Sequence, residues 1–348
     1  MIRVSHGRFF EDLLDAEILA ATPLRLAAHV VALVERRRSL ARLPSCSPVP
    51  APASRGAPRR GPLVILVAGA YRGGSWKTPL ARAVATFLAR RGSRVGFLCR
   101  GYRGADARPR RLRDAEDAGG AGDEAFAAFE ELRSSDVLVA VARDVTAGIA
   151  SLADREIVVV DGSARLPCEG GGLSLLATDG LSGAPVRWGL PVGPGRAAAG
   201  SADRCVVRVA DGLLAGAAAA DASYDLAFER AGGPARGVTL DEIQALSALL
   251  VVTTHARPHR FVEALARRDV HPVVHLALPD HADAETLRGG IARVAARRRF
   301  DGLLVPDKAL LALRGAPLPA PLFVARCDPS LGSALATRLS SLAANFSE

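Results

Sequence analysis

Short apolar runs alternate with helical patterns along most of the chain. The first run, residues 63–68 (LVILVA), is continuously apolar and ends at Gly69, which predicts a strand buried on both faces. A helical pattern begins at Lys77 and stops at Gly92. Further β-branched runs occupy residues 95–99, 136–142 and 155–162. Strands that alternate with helices pair through right-handed crossovers, so the pattern predicts a parallel α/β sheet.

The same rhythm restarts after about residue 236. A second strand–helix series is made by ALLVVTTHARP, RFVEALARRDV, HPVVHLALPD, AETLRGGIARVAARRR and DGLLVPDKALLAL. This series is of about the right size for a sheet of its own. We therefore predict two α/β domains, residues 62–235 and a smaller one at 236–348, with a boundary near 230–240 in AGGPARG.

The first 42 residues contain an apolar stretch, residues 23–42, that is too short to span a bilayer and includes the basic cluster Arg36 to Arg38. This amphipathic helix either lies on a membrane surface or packs on the domain, and composition does not separate the two. Residues 43–61 form a Pro-rich connector that cannot hold a helix or a strand ladder.

Composition narrows the possible partners. The formal charge is +9 and the pI about 10.1, which suits nucleic acid, an anionic membrane or phosphorylated small molecules. The Trp and Tyr residues do not form a stacking stripe among the basic residues, so we predict no nucleic-acid partner. The five cysteines are odd in number and form no zinc-spaced cluster, which fits a reducing cytoplasm.

Two lysines stand out in this Arg-rich chain. Lys77 and Lys308 are the exceptions among 45 basic residues, since every other one is Arg. Arg is a planar fork, whereas Lys is a compact point charge on a flexible stem, so the two exchange poorly where one ammonium must meet one oxygen. We therefore interpret both lysines as chemically required.

The first strand runs into a glycine-rich turn, AGAYRGGSWKTP, and then into the predicted helix. This is the context of a phosphate-binding loop: backbone N–H groups cradle phosphate, Lys reaches the β- and γ-phosphates, and the Thr hydroxyl binds Mg²⁺. The candidate ATP-binding residues are Gly73, Gly74, Ser75, Lys77 and Thr78. A short Gly-Gly-Ser turn followed by a chance Lys-Thr is the alternative.

Further motifs follow the loop in a fixed order. They are Cys99-Arg100-Gly101-Tyr102, Gly122-Asp123-Glu124, Val160-Asp161-Gly162, Leu190 to Arg196, Thr254 to Pro258, Pro279-Asp280-His281 and Val305 to Lys308. In this order, over about 240 residues, they resemble the tetraacyldisaccharide 4'-kinases, the lipid A 4'-kinases. Both lysines fall inside the resemblance.

The resemblance implies a P-loop kinase that uses ATP and Mg²⁺. Its acceptor would be the 4'-hydroxyl of tetraacyldisaccharide 1-phosphate, an anionic glycolipid, and the enzyme would be peripheral on the cytoplasmic face of the inner membrane. Asp123 is the candidate base, paired with His281 from the second domain, so the active site would lie in the cleft between the domains.

Three more carboxylates complete the candidate set. Asp280 and Asp161 join the catalytic residues, and Asp161 and Glu124 are candidates for the Mg²⁺ sphere beside Thr78. The sequence Asp123-Glu124 also fits a helix N-cap followed by a first-turn acid, and both interpretations can hold together.

Some residues depart from the family pattern near the site. Trp76 stands where the loop has Gly, Val160 where DDG has its first Asp, and Pro306 where TEKD has Thr. The chain is therefore either a divergent working kinase or a silent or substrate-shifted paralogue that binds ATP or an anionic lipid. A P-loop kinase or NTPase for another substrate is the further alternative. We expect the loop to tolerate the Trp76 ring.

Overall fold

The computed structural model describes residues 61–69, 76–101, 104, 108–162, 172–179, 205–213, 220–231, 237–255 and 257–347. The predicted N-terminal helix, the Pro-rich connector up to residue 60, and Gly73, Gly74 and Ser75 lie outside these residues. In the part of the chain that the structure describes, no helix combines the length and apolar character needed to cross a bilayer.

Strands and helices alternate through the first half of the chain. The strands are β1 (Leu63–Gly69), β2 (Val95–Cys99), β3 (Arg110–Arg111), β4 (Leu138–Val141), β5 (Ile157–Asp161), β6 (Gly172–Asp179), β7 (Cys205–Asp211) and β8 (Ala222–Arg230). The helices are α1 (Lys77–Arg90), α2 (Ala115–Gly120), α3 (Asp123–Leu132) and α4 (Val145–Ser151).

The second half continues the alternation. Its strands are β9 (Gly237–Val238), β10 (Leu249–Thr253), β11 (Val274–Ala277), β12 (Gly302–Pro306) and β13 (Leu322–Leu331). Its helices are α5 (Leu240–Gln244), α6 (Pro258–Ala266), α7 (Ala284–Ala295), α8 (Leu310–Leu313) and α9 (Ser333–Ser347), with a 3₁₀ turn at Asp307–Ala309. The strands predicted at 63–68, 95–99, 136–142 and 155–162 are confirmed within two residues at each end.

The described strands form one sheet in the order β11-β10-β12-β13-β8-β7-β6-β1-β5-β2-β4-β3, with β9 paired to β8. The expectation of a separate second sheet is wrong. Strand β13 pairs in parallel with β12 on one side and antiparallel with β8 on the other, over nine residue pairs from Phe323↔Arg230 to Leu331↔Ala222. The backbone hydrogen bonds of β13 thus join the two strand series, and the domain boundary near 230–240 stays a prediction.

Strands β1, β2, β5, β10 and β12 are buried on both faces, as their continuous apolar runs predict. In β1, Ile65 and Val67 face the larger core under α1 and α9, whereas Val64 and Leu66 face a smaller cluster with Val160. The final helix α9 packs on the first-half core through Leu335 and Leu339. The end of the chain therefore closes the core that surrounds the start of α1.

Candidate active site

The carboxyl ends of β1 and β5 place the predicted phosphate-binding residues. The two strands are parallel neighbours, with Val67 opposite Asp161, and α1, which is the next described element after β1, begins at Lys77. The Thr78 hydroxyl donates to Asp161 Oδ2 at 2.7 Å, and Lys77 Nζ lies 3.3 Å from Asp161 Oδ1. The side chain of Asp161 is 2% exposed, so the buried carboxylate fixes both groups at the start of the helix.

The backbone of the residue after Asp161 favours glycine. Gly162 has φ +85°, a left-handed conformation that favours glycine, and a Cβ at this position would lie 3.6 Å from Lys77 Nζ. The left-handed backbone at Gly162 therefore favours glycine beside the end of β5, where Lys77 lies.

The first turn of α3 contacts residues from both halves of the chain. Its N-cap is Gly122, so Asp123 and Glu124 are first-turn acids and Asp123 is not the cap. Glu124 Oε1 lies 3.9 Å from Lys77 Nζ, whereas Asp123 Oδ2 accepts a hydrogen bond from His281 Nδ1 at 2.8 Å. Two consecutive carboxylates thus lie between Lys77 and His281 of the second half.

His281 lies between two carboxylates. Its Nδ1 contacts Asp123, and its Nε2 lies 3.8 Å from Asp280 Oδ1. The hydrogen bond to Asp123 raises the pKa of His281, since it stabilises the imidazolium. His281 has φ +56°, a strained conformation for a residue with a side chain, and the tight turn after β11 aims its ring at α3.

A buried ion triad missed by the sequence analysis ties the halves together. Arg82 on α1 donates to Glu131 at 2.8 Å and to Asp307 at 2.6 Å, and Arg82 itself is 5% exposed. Burial alone would lower the pKa of Arg82, but the two carboxylates raise it above its usual range. In a chain with so many arginines, no motif distinguished this one, although its place on the apolar face of α1 is a signal.

Two further histidines, His255 and His275, lie in the second half of the chain. Burial lowers the pKa of His255 to about 4, with Lys308 as the next cause, so this ring is neutral at physiological pH. His275 Nε2 lies 2.9 Å from the Thr253 hydroxyl on the neighbouring strand, and burial also lowers its pKa.

Two departures from the family pattern have a structural explanation. Val160 points away from Asp161 and packs in the cluster on the opposite face of the sheet, where alternation along a strand places it. Trp76 has φ 59°, the backbone region that glycine favours, and its ring stacks on Tyr224 of β8 with centroids 4.0 Å apart. The ring therefore packs against the sheet.

The donor set at the end of β5 suits Mg²⁺. Among the described residues, no three His, Cys, Asp or Glu side chains form a group that could hold a metal ion by themselves. Mg²⁺ keeps several waters and is bound through one or two carboxylates plus phosphate oxygens. Thr78 and Asp161, already in contact, provide hard oxygen ligands of that kind, and Glu124 lies on the other side of Lys77.

The sequence profile of the Tetraacyldisaccharide-1-P 4'-kinase family (LpxK) matches residues 26–335. This chain belongs to that family. The predicted resemblance to the 4'-kinases is therefore confirmed.

Individual 4'-kinases align at moderate identity. The Tetraacyldisaccharide 4'-kinase of Acidovorax sp. (strain JS42) is 33% identical over 230 residues, which cover 63% of this chain and 65% of that protein. That of Methylobacterium radiotolerans is 32% identical over 254 residues, covering 71% and 75%. That of Methylobacterium sp. (strain 4-46) is 29% identical over 337 residues, covering 92% and 94%. The Acidovorax alignment thus spans slightly less than two thirds of that relative.

A solved 4'-kinase shares the fold. LpxK from Aquifex aeolicus, determined in complex with ATP, has a TM-score of 0.63 at 17% identity and covers 97% of this chain and 99% of its own. The predicted α/β class is therefore confirmed. The roles of the candidate residues Asp123, His281, Asp280, Asp161 and Glu124 stay predictions.

Proposed function

We propose that this chain transfers the γ-phosphoryl group of ATP to the 4'-hydroxyl of tetraacyldisaccharide 1-phosphate, as a 4'-kinase of lipid A biosynthesis. The observation that carries the proposal is the first turn of α3. It holds Glu124 beside Lys77 and Asp123 against His281, so phosphate-binding and proton-accepting groups lie side by side.

The residues divide the work of phosphoryl transfer. Lys77 would neutralise the β- and γ-phosphates, because its ammonium lies at the start of α1, where the helix dipole also favours anions. Thr78 and Asp161 would hold Mg²⁺, which supplies charge neutralisation on the transferred group. These groups stabilise charge and position the nucleotide without covalent chemistry of their own.

The pair Asp123 and His281 would remove the proton from the acceptor hydroxyl. Asp123 would accept the proton of the acceptor hydroxyl, and His281 would orient that carboxylate through its Nδ1 and share the incoming positive charge. When the imidazole is protonated, its positive charge would stabilise the carboxylate form of Asp123, which is the form that accepts a proton.

The test is a transfer assay with γ-labelled ATP and purified tetraacyldisaccharide 1-phosphate. We expect label on the lipid, and an Asp123→Asn variant should lower turnover by about 10²-fold or more, since it removes a general base. Wild-type protein that binds ATP but leaves the lipid unlabelled would contradict the proposal and favour the silent or substrate-shifted paralogue.

We also propose that the protein works on the cytoplasmic surface of the inner membrane. The support is the basic charge of the chain and the Arg-flanked apolar stretch at residues 23–42, which suit an anionic lipid surface. Deleting residues 1–42 should lower cosedimentation with anionic vesicles. Unchanged binding at low salt would favour a packed helix instead.

A further inference from the structure

Lys308 takes no direct part in the proposed phosphoryl transfer. It lies in the 3₁₀ turn after β12, and its side chain is 12% exposed. Its Nζ donates to Asp280 Oδ1 at 2.5 Å, a short charge-assisted contact. The second of the two lysines in the sequence thus meets the carboxylate that precedes His281.

The turn that carries Lys308 is anchored to the phosphate-binding helix. Asp307 accepts a hydrogen bond from the Lys308 backbone N–H at 2.7 Å through Oδ1 and one from Arg82 at 2.6 Å through Oδ2. The backbone turn that carries Lys308 is therefore tied to α1.

Three charged groups and one neutral histidine surround the imidazole of His281. Asp123 faces it from α3, Asp280 from its own loop, Lys308 from the 3₁₀ turn, and His255 from the end of β10. His255 is neutral, so the balance at His281 is two carboxylates against one ammonium. Without Lys308, the imidazole would lie between two uncompensated carboxylates.

We infer that Lys308 is a positioning residue, which neutralises Asp280 so that His281 keeps one effective anionic partner, the proposed base Asp123. An uncompensated Asp280, at 3.8 Å from Nε2, would compete with Asp123 for the imidazolium and draw the ring from the base. This inference rests on the proposed function for its catalytic meaning, but its electrostatic part concerns His281 alone.

The experiment compares Lys308→Met with Lys308→Arg in the full chain. Histidine side-chain NMR follows the titration of His281, with the resonance assigned from a His281→Gln variant. Lys308→Met should move the His281 midpoint to higher pH, because the removed ammonium opposes imidazolium formation. Lys308→Arg, which retains the charge, should stay near the wild-type midpoint.

A charge-balanced double variant separates electrostatics from packing. Lys308→Met combined with Asp280→Asn should return the midpoint toward the wild-type value, since both members of the ion pair are then neutral. Arg94→Met is the surface control: Arg94 pairs with Glu156 at the opposite, amino-terminal edge of the parallel strands and should leave His281 unchanged.

Kinetics give the second readout. In the transfer assay, Lys308→Met should lower kcat by about tenfold with the KM for ATP within about twofold, because the nucleotide side is untouched. A His281 titration in Lys308→Met that overlays the wild type would overturn the inference. If the midpoint shifts as expected but the wild-type protein transfers no phosphate, the proposed function fails and the electrostatic role of Lys308 stands.

Discussion

The chain has two lysines, and each pairs with an aspartate beside a strand end, but the two pairs are built differently. Lys77 meets Asp161, which is the last residue of β5 and is 2% exposed. Lys308 meets Asp280, which lies in the loop after β11 and is 36% exposed. The first carboxylate also accepts from Thr78, whereas the second flanks His281.

Under the proposed function, the two pairs would have different tasks. The position of Asp161 in the Lys77 pair is fixed by the register between β5 and its neighbour β1, and that of Lys77 by the start of α1. The Lys308 pair depends on a turn held by Arg82 across the molecule. The Lys77–Asp161 pair, held by the sheet, would bind the nucleotide. The Lys308–Asp280 pair, held by turns, would set the charge around His281.

The largest effect is expected at Lys77. Lys77→Ala should lower transfer by about 10³-fold and weaken ATP binding, because it removes a charge aimed at the transferred phosphate. Turnover and the KM for ATP measure this, and both should change, in contrast to Lys308→Met. Lys77→Arg should rescue little, since a planar fork does not replace a point charge. Wild-type turnover in Lys77→Ala would refute the assignment of the loop.

The next effect is on stability and tests the link between the pairs. Arg82→Met should lower the free energy of unfolding by about 3 kcal/mol, because it leaves Asp307 and Glu131 without their cation. Urea unfolding measures it. Arg90→Met, on the exposed side of the same helix, should stay within about 0.5 kcal/mol of the parent. Equal stability of the two variants would show that the triad does not join the halves.

Substitutions of Trp76 should have a smaller effect on stability, and they also test the nucleotide site. Trp76→Ala loses the stack on Tyr224 and keeps a side chain at φ 59°, so it should cost about 2 kcal/mol of unfolding free energy. Trp76→Gly loses the same stack but relieves the backbone, which should recover about 1 kcal/mol. We further expect Trp76→Gly to bind ATP more tightly than the parent, as measured by calorimetry. Weaker binding would mean that the ring has become part of the nucleotide site.

The smallest effect is the pH dependence of the Asp123–His281 pair. The pKa of His281 is raised in the folded state, so this pair stabilises the protein fully below the unfolded pKa of His, and the contribution is lost as pH rises through the folded value. The stability difference between wild type and Asp123→Asn should therefore be larger near pH 6 than near pH 9, two values that bracket the ordinary pKa of His. A difference independent of pH would argue against an imidazolium partner.

Much of the first half could be predicted from the sequence, because its signals are local. The run 63–68 and the start of α1 at Lys77 are confirmed, since continuous apolar strands and a helix after a glycine-rich turn depend on neighbouring residues. The pairing of Asp123 with His281 came from the family resemblance, and the geometry agrees with it. Because the two residues lie 158 positions apart in the chain, local sequence patterns could not have predicted their contact.

What escaped prediction depends on contacts between distant segments. Strand β13 joins the two strand series by pairing with β8, which lies about a hundred residues earlier in the chain. The register between such distant strands is chosen by packing on both faces, so local sequence does not reveal it. The Arg82 triad is similar, since its cation looks like any other arginine in an Arg-rich chain until burial isolates it with two carboxylates.

The sequence by itself determined the alternation of strands and helices and the family, and it singled out two lysines, because these follow from hydrophobic period, motif order and residue choice. The tertiary structure decided which aspartate each lysine meets, that one sheet holds both strand series, and that the Trp76 ring packs on Tyr224. The physical reason is that charges and rings act over a few ångströms, and only the folded chain brings the groups that close.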